Sequence, residues 1–262
     1  MKIVLFSPNK YSDYSLAVYE LLLKNNIKID YVFCLDYSFK RIFKDFKKYP
    51  FELLKKIIKK LLFRKYFYKT SENVNGLLDL RKTININFKH LNSLNSQNTK
   101  TFFFNNFNNS SCIDHIRQIN PDLIIFTGGG IIRNEMLKLP KIGILNSHMG
   151  ILPKYRGMHV AEWAILNDDY DNIGCTSHLM ELKVDIGRVI DIKKIKLDNI
   201  FSINQLYSVF EKNMVESVLN SIIKLKKNNN YFMFIADETP LYFRMNSSSI
   251  KSVQKKLKTL KK

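Results

Sequence analysis

Residues 121–130 read Pro121-Asp122-Leu123-Ile124-Ile125-Phe126-Thr127-Gly128-Gly129-Gly130. An unbroken apolar run of this length, without polar alternation, is the pattern of a strand buried on both faces. Three consecutive glycines beyond it supply backbone free of side-chain bulk and free to turn left-handed. In an open α/β sheet the space beyond a strand's carboxyl end is where ligands bind. Working outward, residues 2–6 form a similar apolar run, followed by polar Ser7 to Ser12. A helical repeat (Leu16, Val18, Tyr19, Leu22, Leu23) then leads to a second run, Ile29 to Leu35. Strand, helix, strand is a βαβ opening and implies a parallel sheet.

A helix around Ile113–Ile119 precedes the 121–126 strand. A short helix from Asn134 to Leu139, then Pro140, leads to a further strand, Ile142–Leu145. Alternating residues at Cys175–Glu181 and Val189–Leu197 predict two strands joined through Asp185-Ile186-Gly187-Arg188. Ser202 with Gln205 forms a capping box opening a helix to about Lys226. Tyr231–Ile235 and Leu241–Met245 read as a β-hairpin. The expected fold class is therefore α/β with a mainly parallel sheet and a short C-terminal helix and β-hairpin extension. Residues 70–111, polar and Asn-rich, offer only short apolar islands and no assignable element.

The 262 residues include 42 Lys+Arg against 23 Asp+Glu, a net charge of +19. With 45% hydrophobic residues the chain can bury a core, which excludes wholesale disorder. More than half of the excess charge lies between Tyr37 and Thr70, where twelve Lys and Arg face only Asp45 and Glu52. Within it Phe51, Leu54, Ile57, Ile58, Leu61 and Leu62 recur at helical spacing, the pattern of a basic amphipathic helix. Packing on the body, contact with an anionic membrane surface and nucleic-acid binding are its three readings; no recognition motif supports the last. Codon bias toward A/T is a further source of Lys and Asn. No uncharged apolar run reaches a membrane span, and no secretory signal opens the chain. Three dispersed cysteines (Cys34, Cys112, Cys175) read as reduced thiols, so a cytoplasmic location is expected.

The chemistry concentrates in Asn146-Ser147-His148-Met149-Gly150-Ile151-Leu152-Pro153-Lys154-Tyr155-Arg156-Gly157. As the chain leaves the 142–145 strand, Asn146 and His148 share one face, bringing an amide and an imidazole to one pocket. Asp185, in the turn Val184-Asp185-Ile186-Gly187, supplies a carboxylate that could orient the imidazole and stabilise its cation. Asn, His and Asp together suit acyl transfer to an amine: the amide bonds a developing oxyanion and the imidazole relays the amine's proton. Each residue also has an ordinary reading in turn chemistry. No serine-nucleophile elbow competes, and the spacing of His148, His159 and His178 matches no common zinc pattern, so no metal is expected.

The ordered set Asn146-Ser147-His148, Leu152-Pro153-Lys154-Tyr155-Arg156-Gly157, Trp163-Ala164-Ile165, Gly174-Cys175-Thr176-Ser177-His178 and Asp185-Ile186-Gly187 resembles the folate-dependent formyltransferase family. The likeness is strong over about 120–190, weaker over the first 35 residues and absent over 36–110. It implies a Rossmann-like formyltransferase domain at 1–200 with a basic insertion at about 37–110. A C-terminal extension at 201–262 follows, with a homodimer formed through it. The implied donor is 10-formyltetrahydrofolate, and the family's trio maps to Asn146, His148 and Asp185. The folate would lie against Gly129, Gly130, Ile131 and Ile132 and the turn carrying Glu181 and Val184. Met149-Gly150 departs from relatives, which often carry a small residue and then Ser.

Within that family, a methionyl-tRNA enzyme resembles a longer chain with a C-terminal barrel. A glycinamide-ribonucleotide enzyme resembles one with a Gly-rich loop where Ser7-Pro8-Asn9-Lys10 stands. The plan of residues 203–245 is most like that of the nucleotide-sugar N-formyltransferases. The expected acceptor is thus a nucleotide-diphosphate amino sugar, a deoxysugar of a bacterial surface polysaccharide, with Asn9, Lys10 and Arg156 facing its diphosphate. No nucleic-acid partner is expected, and membrane-surface contact through the basic helix stays open. Alternatives are another acceptor of the family, a formyl hydrolase, or a basic membrane- or nucleic-acid-binding protein with an inactive domain.

Overall fold

The computed structural model describes residues 1–36, 76–86, 88–91, 93–94, 98–227, 232–233 and 239–260. The basic helix expected around Phe51–Leu62 lies outside them. In chain order the elements are β1 (Ile3–Ser7), α1 (Asp13–Lys24), β2 (Tyr31–Leu35), α2 (Gly76–Ile84), β3 (Lys100–Phe104), α3 (Ser110–Ile119), β4 (Leu123–Phe126) and α4 (Asn134–Leu137). They continue with β5 (Gly143–His148), β6 (Arg156–Gly157), α5 (Val160–Leu166), β7 (Gly174–Met180), β8 (Gly187–Lys194), α6 (Ile203–Lys226), β9 (Phe232–Met233), β10 (Leu241–Tyr242) and α7 (Ser247–Thr259).

The main sheet runs in the order β3-β2-β1-β4-β5-β7-β8-β9. It is parallel from β3 to β5 and antiparallel from β5 to β9. The apolar runs form the parallel strands because both faces are covered. On one side α1, α2 and α6 bring Leu16, Leu80, Val215 and Ile222 against Leu5 and Ile125; on the other, Phe107, Ile113 and Met136 meet Phe6 and Ile124. α1 is capped by Ser12, whose side chain accepts from Ser15 N, and α6 by Ser202, which accepts from Gln205 N.

Several elements depart from expectation. α2 and β3 form where the Asn-rich stretch offered none: α2 buries Leu77, Leu80 and Ile84, and β3 is an edge strand beside β2. α7 forms from the basic tail because Val253 and Leu257 bury against the cluster of Ala164, Leu206 and Phe210. The two short C-terminal strands do not make a hairpin among the described residues. β9 pairs with β8, whereas β10 pairs in parallel with β6 in a separate two-stranded sheet. Among the described residues no helix is long and apolar enough to cross a membrane.

Candidate active site

β5 and β7 lie side by side with Asn146 directly opposite His178 and His148 opposite Thr176. Directly opposed residues share a face, so the register itself brings the Asn146 amide to the His178 ring, 3.3 Å from Nδ2 to Nε2. The β7–β8 pairing shifts register between Ser177 and His178. Such bulges re-aim side chains beside functional sites. Burial, and then the neighbouring His148, push the His178 pKa down to about 4, against the opposing pull of Asp185. His178 is therefore neutral at physiological pH, and its Nε2 can accept a hydrogen bond from the Asn146 amide.

His148 is 8% exposed, with one ring nitrogen hydrogen-bonded and the other close to a carboxylate. Nε2 stands 2.8 Å from the carbonyl of Tyr155. A carbonyl only accepts, so Nε2 carries a hydrogen and donates it. Nδ1 stands 3.5 Å from Asp185 Oδ1. A proton taken up at Nδ1 would thus meet a carboxylate at once. Asp185 sits at φ +51° in the turn after β7, and its Oδ2 accepts the Gly157 N–H at 2.9 Å. Thr176 Oγ1 fixes the loop that follows β5, donating to the Gly150 carbonyl at 2.7 Å and accepting from Leu152 N at 3.1 Å. Gly150 has no room for a side chain: a Cβ would lie 2.6 Å from the Tyr155 oxygen and 2.8 Å from His148 Nε2.

Asn146, His178 and Asp185 line a cavity of ≈ 180 Å³ whose other walls come from β4 and the two loops beyond β4 and β7. Gly130, Ile131, Ile132, Glu181 and Val184 are all in that wall; Gly129 and His148 are not. Gly129 packs inward, where a Cβ would meet the Phe107 ring at 2.5 Å. His148 stands behind the wall, against Asp185. All three glycines after β4 have positive φ, between +100° and +128°, a path closed to most other residues. Ile131 (79% exposed), Leu182 and Val184 leave the mouth of the cavity apolar.

The three residues expected at a diphosphate are not in the wall. The Asn9 side chain closes a turn by accepting from Tyr11 N at 2.8 Å, and Lys10 Nζ lies 4.9 Å above the Tyr11 ring. Arg156 is turned inward and only 7% exposed. Its guanidinium donates to the Val184 carbonyl. His178 was absent from the site read from sequence. Its signal was available, since alternation in 175–181 puts it on the face of Thr176, but its partner could be assigned only with the β5–β7 register.

The open α/β sheet thus presents Asn146, His178 and Asp185 at a cleft where it switches to antiparallel strands, with His148 behind Asp185. The formyl transferase family profile matches residues 82–222, more than half of the chain, and the chain belongs to that family. Over 107 residues it is 35% identical to the bifunctional polymyxin resistance protein ArnA of Wigglesworthia glossinidia brevipalpis. Over 119 residues it is 35% identical to the methionyl-tRNA formyltransferase of Borrelia garinii. These matches span 40% and 44% of this chain, and 16% and 38% of the relatives' own lengths. In fold it is similar to a sugar N-formyltransferase from Shewanella sp. (TM-score 0.54, 14% identity, 98% of this chain and 87% of that one). HypX from Aquifex aeolicus, solved with tetrahydrofolic acid, superposes with TM-score 0.53 at 14% identity over 95% of this chain and 30% of its own.

Proposed function

We propose that this protein transfers a formyl group from 10-formyltetrahydrofolate to the amino group of a nucleotide-linked amino sugar. The observation that carries the reading is the imidazole of His148 pinned between an acceptor carbonyl and Asp185, behind a cleft that also presents the Asn146 amide. The cleft suits a folate in kind: an apolar mouth at Ile131 and Leu182, a glycine-lined wall, and the polar side chains of Asn146, His178 and Asp185. Gly130, Ile132, Glu181 and Val184 would hold the pterin end. Bound there, 10-formyltetrahydrofolate supplies the formyl carbon and, as the bond from that carbon to N10 breaks, a nitrogen that takes up a proton.

The chain's residues then divide the work. The acceptor amine brings the electron pair for the new C–N bond and must lose one proton. His148 Nδ1, behind the wall beside Asp185, takes it through a bridging water, and the Asp185 carboxylate stabilises the resulting cation. The Asn146 amide, with one N–H given to His178, keeps the other for the oxygen on which charge grows.

The amino-sugar acceptor is favoured by the sugar N-formyltransferase folds, which align along 98% of this chain, against 86% to 93% for two phosphoribosylglycinamide formyltransferases. A Met-tRNA acceptor is the second reading, favoured by the sequence relatives and by the +19 charge. The test is incubation with 10-formyltetrahydrofolate and a panel of thymidine-, uridine- and guanosine-diphosphate amino sugars, with Met-tRNA and glycinamide ribonucleotide as further arms. Mass spectrometry should find one formyl group added to a sugar. Formylation of Met-tRNA alone would replace the first reading by the second.

A further inference from the structure

Tyr155, Arg156 and Gly157 are consecutive, and each holds a different part of the site. The Tyr155 carbonyl accepts from His148 Nε2 at 2.8 Å. Arg156 donates from Nε and Nη2 to the carbonyl of Val184, at 3.2 and 3.0 Å. Gly157 N–H donates to Asp185 Oδ2 at 2.9 Å. One short stretch of chain therefore sets the imidazole's tautomer, anchors the turn that forms a wall of the cleft, and chooses which carboxylate oxygen faces His148.

The stretch is braced from its other side by the C-terminal segment. Leu241 and Tyr242 pair with Arg156 and Gly157. Arg156 Nη1 reaches the Thr239 carbonyl and hydroxyl at 3.4 Å, and Met158 N–H donates to the Tyr242 carbonyl at 2.9 Å. The Tyr155 and Tyr242 rings stack with centroids 5.3 Å apart, and the Trp163 indole donates to the Phe243 carbonyl at 2.8 Å. Gly157, at φ +103°, admits no side chain, because a Cβ would sit 2.1 Å from the Tyr242 oxygen.

We propose that Tyr155–Gly157 is a positioning clamp with Arg156 at its centre, and that β10 braces it. The C-terminal segment would thereby set the geometry of His148 and Asp185 without touching a substrate. The proposal rests on the formyl-transfer reading of that cleft. Arg156 is here a positioning residue and not a diphosphate ligand. Its planar fork spans Val184 and Thr239 at once, a reach a lysine ammonium does not have. Left with donors unpaired, the buried guanidinium would lose what offsets its desolvation, so the turn is held firmly.

Two readouts test this. In Arg156→Lys, kcat should fall about 10- to 100-fold while the acceptor KM stays within about two-fold, as expected for misplaced catalytic groups. The second readout is the Gly157 amide in an ¹⁵N-glycine spectrum of the full chain, a sparse set because there are nine glycines. Gly157 alone follows an arginine, so carbonyl-¹³C labelling of Arg in the wild type, and of Lys in the variant, assigns it. Its bond to a carboxylate should place it downfield. It should move upfield in Arg156→Lys, toward its position in Asp185→Asn. Thr239→Val, which trims only the brace, should give a smaller displacement and serves if Arg156→Lys does not fold. A tenfold rise in acceptor KM at unchanged kcat, or a Gly157 amide indifferent to these substitutions, would overturn the clamp. A wild type that formylates no acceptor defeats the reading of the cleft alone, and the amide shift still decides the clamp.

Discussion

β1, β2 and β4 bury Ile3–Phe6, Val32–Leu35 and Leu123–Ile125, and Ser7 is the polar side chain buried among them. β5, β7 and β8, in the same sheet, bury Ser147, His148, Thr176, Ser177, His178 and Asp191. The first group is held by area removed from water, which tolerates apolar exchange of similar volume. The second depends on specific partners: Ser177 Oγ meets Ser217 Oγ at 2.9 Å, Ser217 donates to Asp191 at 2.8 Å, and Lys224 donates to Asp191 at 2.6 Å. Burying polar groups costs stability unless they are so paired. The parallel half is a scaffold, and the half where the sheet turns antiparallel holds the buried polar side chains of the proposed site.

The largest effect should come from separating the two halves functionally. Asn146→Ala, at a half-buried position, should lower kcat by about 100- to 1000-fold with little change in thermal stability, measured by initial rates and melting. The converse substitution, Ile125→Ala in the scaffold, should cost about 2–5 kcal/mol of stability in urea titrations and leave the rate per folded molecule unchanged. If either substitution changed rate and stability together, the division would fail.

The next effect concerns pH. The His178 pKa of about 4 lies below the ~6.5 of an unfolded histidine, so between those values the unfolded chain binds the extra proton. This group's contribution is full above about pH 6.5 and declines as pH falls toward 4, by at most roughly 3 kcal/mol. Urea midpoints at pH 7 and 4.5 should differ less in His178→Gln than in the wild type. The smallest effect should be Gly150→Ala. Its Cβ would press on the His148–Tyr155 bond and cost about 1–3 kcal/mol through overpacking, with a loss of rate larger than the loss of stability implies.

The same contrast governs what could be read from sequence. β1, β2, β4 and β5 announce themselves as apolar runs, and α6 by its Ser202 cap, because burial and capping are local signals. β3 hides because an edge strand is half exposed: Lys100 and Phe103 face solvent and Phe104 is buried. α7 hides because lysines and serines dilute Ile250, Val253 and Leu257, whose spacing serves a face visible only once α5 and α6 are in place. Asn146, His148 and Asp185 could be picked out by residue type and motif. His178 stood out in the same way, but its pairing with Asn146 could not be read, since it depends on a register between two strands. Nor could the inward turn of Arg156, because sequence does not say whether a cation meets solvent or a carbonyl twenty-eight residues away.

The most direct test follows a ¹³C-labelled formyl group from 10-formyltetrahydrofolate in single turnovers with the amino-sugar acceptor found by the panel. Label should appear in the sugar's new amide with the wild type, and at least about 100-fold more slowly with His148→Ala and Asn146→Ala. Release of the label as formate at one rate with or without the amine, or transfer that those two substitutions leave untouched, would contradict formyl transfer at this cleft.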